Sequence, residues 1–195
     1  MKQEKISNLL KDILTVDNTT LDNIDMSFIR KYEMYHEIDY FFGQSNREHY
    51  RLLSYISTKL NEEKIFDIGT NKCMSAIALS KNHTNKVCSY DISRILPKNP
   101  DIQNIEFIIG DSTEDKSIQD SFVIFLDVDH DGLYEDKFYN HLKEIKWDGL
   151  LILDDIHLNK EMIEFWTKIT EKKYDITTKG HWSGTGIVVF SFEKN

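Results

Sequence analysis

The chain reads as an α/β protein built on a seven-stranded, mostly parallel sheet with helices on both faces. Three observations predict this. Short apolar or β-branched runs alternate with amphipathic helical stretches from about residue 60 onward; the central runs are apolar throughout; and most runs end in an acidic or glycine-containing turn. Alternation of the two textures implies βαβ units. Strands without a polar face are those covered on both sides.

Each element follows from its local pattern. Residues 1–60 are expected to form a helical, aromatic-rich cap segment with a loop near Phe42-Gly43-Gln44-Ser45. Its start, MKQEKISNLLKDIL, places Ile6, Leu9, Leu10, Ile13 and Leu14 at helical spacing. Strands are predicted at 64–68, 87–90, 105–109, 122–126, 150–153, 174–178 and 187–192. Helices are predicted at 74–80, 136–145 and 160–170. The last strand follows Gly184-Thr185-Gly186, a tight return that makes it antiparallel. Residues 61–195 then form the core of a single domain spanning 1–195.

Bulk properties narrow the class. A chain of 195 residues suits one sizeable core. Eight glycines and two prolines are too few for a disordered or fibrous chain. A formal net charge of −9 repels phosphate backbones, so no nucleic-acid partner is expected. Cys73 and Cys88 have no CxxC spacing and read as buried free thiols of a reducing compartment. The amphipathic start differs from a signal peptide, and no apolar run approaches the roughly 20 residues of a membrane span. The expectation is a soluble, cytoplasmic protein without a membrane partner.

In a parallel sheet the carboxyl ends of the strands carry the ligand. The first strand runs into Asp67-Ile68-Gly69-Thr70-Asn71, after which a helix begins. Such a turn brings backbone close to a ligand and aims a helix N-terminus at it. Asp91 ends the second strand 24 residues after Asp67, near the spacing at which an acid meets ribose hydroxyls. The third strand runs into Gly110-Asp111-Ser112. These ends are also ordinary places for turn and cap residues.

This ordered series resembles the class I S-adenosylmethionine (SAM) methyltransferases. The resemblance implies a Rossmann-like fold, with Asp67, Gly69 and Thr70 at the methionine part of the cofactor. It further implies Asp91 at the ribose, Asp111 and Ser112 at the adenine, and Asp127 beside them. Asn71 and Cys73 stand where that family often has glycine.

The fourth strand ends Asp127-Val128-Asp129-His130, and the fifth ends Asp154-Asp155. Neighbouring strands bring Asp127, Asp154 and Asp155 to one rim, where three carboxylates repel unless protonated or bridged by a cation. Oxygen-only ligands favour Mg²⁺ or Ca²⁺. The arrangement is similar to metal-dependent O-methyltransferases of the catechol type and of the macrolide and aminocoumarin sugar type. By that resemblance Asp127, Asp154 and Asp155 hold Mg²⁺, Asp129 or His130 acts as base, and the acceptor is a small molecule or sugar hydroxyl. Catechol-type enzymes carry a lysine at the position of His130.

Other readings fit less of the chain. An EF-hand loop starting at Asp127 needs glutamate where Phe138 stands. A haloacid-dehalogenase-like phosphatase would use Asp127 as nucleophile and Asp129 as acid/base, but leaves the 65–73 turn and Asp91 without a task. A nicotinamide enzyme would want G-x-G-x-x-G, which the first turn lacks. A nucleotide-binding module without catalysis would not require acids at so many strand ends. On the acceptor side the candidates are Tyr32, Tyr35, His36, His49 and Tyr50, with the loop His181-Trp182-Ser183-Gly184. A homodimer is one arrangement in which the aromatic cap covers a partner subunit's site.

Overall fold

The computed structural model describes residues 2–32, 43–93 and 100–192. Seven strands form one sheet: β1 (Lys64–Ile68), β2 (Lys86–Asp91), β3 (Ile105–Ile109), β4 (Val123–Leu126), β5 (Gly149–Asp154), β6 (Lys172–Asp175) and β7 (Thr185–Phe190). Their order is β3-β2-β1-β4-β5-β7-β6. The first five are parallel to one another, while β7 runs antiparallel to both β5 and β6.

The unbroken apolar character of the central strands has a plain cause: alternate residues enter two different cores. Ile65, Val123, Phe125, Leu150 and Ile152 face one layer, filled by α1 (Lys2–Thr15), α3 (Tyr50–Lys59) and α4 (Met74–Leu79). Phe66, Ile68, Ile124, Leu126 and Leu151 face the other, filled by α5 (Leu133–Glu144) and α6 (Lys160–Lys168). A short α2 (Asn18–Asp22) begins at Asp17, whose carboxylate accepts from the Thr20 N–H at 2.7 Å. α6 begins at Asn159, which accepts from the Met162 N–H at 2.8 Å. The Trp147 ring is wholly buried, and its N–H donates to the Ser121 hydroxyl at 2.9 Å, tying the approaches to β5 and β4 together.

The predicted strands and helices all occur, with shifted ends. β6 stops at Asp175 because that carboxylate turns the chain, accepting from the Thr177 N–H at 3.0 Å. β7 starts at Thr185, where pairing with Asp154 begins. Within the cap, α1, α2, a 3₁₀ turn at Ser27–Tyr32 and α3 are described, and residues 43–49 form an irregular loop. Tyr35 and His36 lie outside the described residues. Both cysteines are buried and free. Among the described residues no helix is long and apolar enough to cross a membrane.

After β1 the chain builds outward through β2 and β3; it then returns to place β4 and β5 on the other side of β1. The carboxyl ends of β1 and β4 therefore border the crevice where the strand order reverses.

Candidate functional site

Gly69 is the closest point of that crevice. Its φ is +88°, and a Cβ there would lie 1.7 Å from the Asp127 carbonyl oxygen. Only glycine meets both demands. The Gly69 and Thr70 N–H groups donate to the Tyr90 carbonyl at 2.9 and 3.0 Å, so β2 holds the turn. The Asn71 N–H donates to Asp91 Oδ2 at 2.9 Å, and the Ser93 N–H to Asp91 Oδ1 at 3.0 Å.

A cavity of about 310 Å³ opens over these strand ends. Gly69, Asp91, Ser112, Asp127, Asp129 and His130 are on its wall, as is Tyr134 from the first turn of α5. Asp67, Thr70 and Asp111 are not on it. Asp67 is wholly buried and accepts from the Ser89 hydroxyl at 2.8 Å. Burial pushes its carboxyl above the usual range. Asp111 caps a 3₁₀ turn and accepts from Thr113, from the Tyr134 hydroxyl at 3.0 Å and from Lys137 Nζ at 2.6 Å. Burial opposes its charge, but these donors outweigh burial and hold the carboxyl well below the usual range. Tyr134, bonded at 3.1 Å to the Ser112 hydroxyl, stands on the wall, whereas Asp111, which the resemblance places at the adenine, does not. The only signal for Tyr134 was its place in the helix after β4.

Tyr139 and Lys143 have the Tyr-x-x-x-Lys spacing of a nicotinamide enzyme, yet both lie off the cavity wall. Tyr139 is buried, and its hydroxyl donates to Glu171.

The three acids converge on one rim, and histidines stand among them. His130 Nε2 lies 3.3 Å from Asp127 Oδ1 and 3.3 Å from Asp155 Oδ2. The Asn159 amide fixes this loop by donating to the His130 carbonyl at 2.7 Å. His181 Nδ1 lies 3.2 Å from Asp154 Oδ2 and 3.1 Å from Asp155 Oδ1. The Ser183 hydroxyl donates to Asp155. His49 Nδ1 lies 3.2 Å from Asp154 Oδ2.

Several non-glycine residues here adopt left-handed backbone: Asn71 (φ 44°), Cys73 (φ 68°), His130 (φ 57°) and Asp155 (φ 58°). Such conformations are strained and concentrate at functional sites.

The electrostatics of the rim are unequal. Burial drives the Asp127 carboxyl well above the usual range, and the Asp154 charge adds to this. Burial alone would also raise Asp154, but His49 and His181 hold it well below the range. For His181, burial opposes the charged form; Asp154 and Asp155 outweigh it and push the imidazole up to about 10. His49 is likewise raised, with Asp154 overcoming burial.

The convergence of His49 and His181 on Asp154 was not foreseen, although each was a candidate for the acceptor side. Two loops bring them together. Arg51 pins the approach to α3 by donating to the Gly43 carbonyl at 2.7 Å and the Asp22 carbonyl at 2.8 Å. The Trp182 N–H donates to the Arg47 carbonyl at 3.4 Å, docking the 181–184 loop there.

No family model matches the sequence, and no curated protein matches it significantly. Solved structures do match the fold. A putative caffeoyl-CoA O-methyltransferase from Staphylococcus aureus aligns at a TM-score of 0.56 and 15% identity, over 93% of this chain and 100% of that one. An O-methyltransferase from Bacillus cereus in complex with SAH (S-adenosylhomocysteine) aligns at 0.54 and 14%, over 98% and 100%. An SAH-bound methyltransferase from Podospora anserina aligns at 0.55 and 12%, over 85% and 88%. The strand order, the antiparallel β7 and these alignments together show that the chain has the fold of the class I SAM-dependent methyltransferases.

Proposed function

We propose that the chain is a SAM-dependent methyltransferase that acts on a hydroxyl of a small molecule. One observation carries this reading: the strand ends of β1, β2 and β4 enclose a single cavity whose floor is a backbone contact only Gly69 permits. A cradle without side chains, next to an acceptor-only carboxylate, fits a nucleoside thioether. Asp91 is the residue to receive ribose hydroxyls, Ser112 and Tyr134 border the adenine, and the Gly69 turn faces the methionine part. When bound, the cofactor supplies an electrophilic methyl on sulfonium. Attack by oxygen forms the new O–C bond as the S–C bond breaks, and the hydroxyl proton must leave.

His130 is the residue to take that proton. It stands on the cavity wall, within 3.3 Å of Asp127 and Asp155, whose carboxyl groups orient the imidazole. Asp129 shares the wall but is exposed, with no comparable orienting partners described. The rim is not the oxygen-only set that Mg²⁺ favours, because imidazole nitrogens stand at each of the three acids.

Titration calorimetry with SAH tests the reading. Micromolar binding is expected. Asp91→Ala is expected to weaken it by about 1–3 kcal/mol, the cost of stranding buried polar groups. Absence of SAH binding by the unaltered protein overturns the proposal; equal affinity in the variant removes Asp91 from the ribose.

A further inference from the structure

We infer that His49, Asp154 and His181 form a binding site for a first-row divalent transition ion such as Zn²⁺, distinct in ligand type from an all-carboxylate Mg²⁺ site. The three residues come from the loop before α3, the end of β5 and the loop before β7. One ligand atom from each lies within 4.8 Å of the others. The two nitrogen-to-oxygen separations at Asp154 are both 3.2 Å. Bonds of about 2.0–2.2 Å from one ion to three such atoms produce separations of this order.

Unsatisfied chemistry points to the same place. His49 and Asp154 are each 3% exposed. Neither His49 nitrogen makes a hydrogen bond, although Nδ1 lies 3.2 Å from Asp154 Oδ2. Asp154 Oδ1 is also without a partner. Buried polar groups are rarely left so, and these belong to one cluster. The His49 ring rests against Phe125 and Tyr50, at centroid distances of 4.8 and 4.5 Å. A cation between the two imidazoles and the carboxylate gives His49 Nδ1 the partner it lacks.

The donor set decides the class of ion. Two imidazole nitrogens and one carboxylate suit Zn²⁺, Fe²⁺ or Mn²⁺, whereas Mg²⁺ takes oxygen ligands and keeps its waters. The surroundings also orient the ligands, as metal sites require. The His181 backbone N–H donates to the Thr185 hydroxyl at 2.8 Å, which fixes its loop. Glu48, 3.9 Å from His181 Nε2, adds a further negative charge beside the cluster.

The inference goes beyond the methyltransferase reading and does not rest on it. Its test is calorimetric titration of chelator-treated full-length protein with Zn²⁺ and, separately, with Mg²⁺. One Zn²⁺ per chain is expected, bound at least 100-fold more tightly than Mg²⁺. His181→Asn and His49→Ala are each expected to lower Zn²⁺ affinity at least 10-fold. Co²⁺ loaded in place of Zn²⁺ is expected to give visible d–d absorption that is lost in His181→Asn. That variant lies in a loop and keeps the test decisive if His49→Ala fails to fold. Comparable Zn²⁺ and Mg²⁺ affinities, no Zn²⁺ binding, or unaltered Zn²⁺ affinity in a folded His181→Asn protein each overturn the site. SAH titration of the same samples separates the two proposals: Zn²⁺ binding without SAH binding keeps the metal site and sinks the methyltransferase.

Discussion

His130 is where the chemistry of the proposed reaction concentrates. Its ring bridges Asp127 and Asp155 at 3.3 Å from each, and its backbone is left-handed. A base held this way contributes about 10²–10⁴-fold to proton transfer. His130→Gln is therefore expected to lower SAH release from SAM and a phenolic acceptor by about that factor. SAH affinity, measured on the same variant, is expected to stay within about twofold, since uniform binding is separable from a transition-state contribution. A variant with full turnover returns the role of base to another group. The sequence singled out His130 through its place after Asp127. It could not show that Asp155 would approach from the other side, because that contact depends on how β4 and β5 end side by side.

At the scale of elements, the β1 and β4 ends are held apart by nothing more than the hydrogen of Gly69. Gly69→Ala adds a Cβ 1.7 Å from a carbonyl oxygen, at a φ of +88°. Left-handed backbone costs an alanine about 1–2 kcal/mol and overpacking about 1–3 kcal/mol more. The variant is expected to lose about 2–5 kcal/mol in urea unfolding, with SAH binding lost beyond the detection of calorimetry. A loss below 1 kcal/mol would mean that the strand ends can separate.

The elements themselves were legible in the sequence for a physical reason. Apolar runs such as Val123–Leu126 are buried on both faces, so their composition alone marks them. The ends of β6 were less legible, because the turn at Asp175 depends on a side-chain hydrogen bond to Thr177 rather than on hydrophobic pattern. Acids at strand ends were readable because the topology places every parallel strand end on one side. Which of them face the cavity was not: Asp67 turns into an interior hydrogen bond with Ser89, and Asp111 toward Thr113, Tyr134 and the exposed Lys137, while Tyr134 stands on the wall. The meeting of His49, Asp154 and His181 was hidden as well, since residues over 100 positions apart meet there through two docked loops.

For the molecule as a whole, two apolar layers on one sheet supply the stability, and the cavity sits at the edge of the layer that holds Ile68, Tyr90 and Tyr134. A ligand that binds only the folded state adds about 2.7 kcal/mol at 100 times its Kd. In a chain of this size each kcal/mol moves Tm by about 2–4 °C. Saturating SAH is therefore expected to raise Tm by about 5–10 °C in a thermal melt. NAD at the same concentration is expected to leave it unmoved. A shift with NAD alone would favour a nicotinamide chemistry instead.

The left-handed residues around the cavity carry a consequence for how this protein can change over generations. Asn71 and Asp155 each occupy backbone that glycine would adopt more cheaply. Glycine at Asn71 would relieve that strain and forfeit the side chain, whereas at Asp155 it would also break the contacts to Ser183, His181 and His130. Selection for heat resistance alone would thus favour losing the Asn71 side chain from the cavity wall.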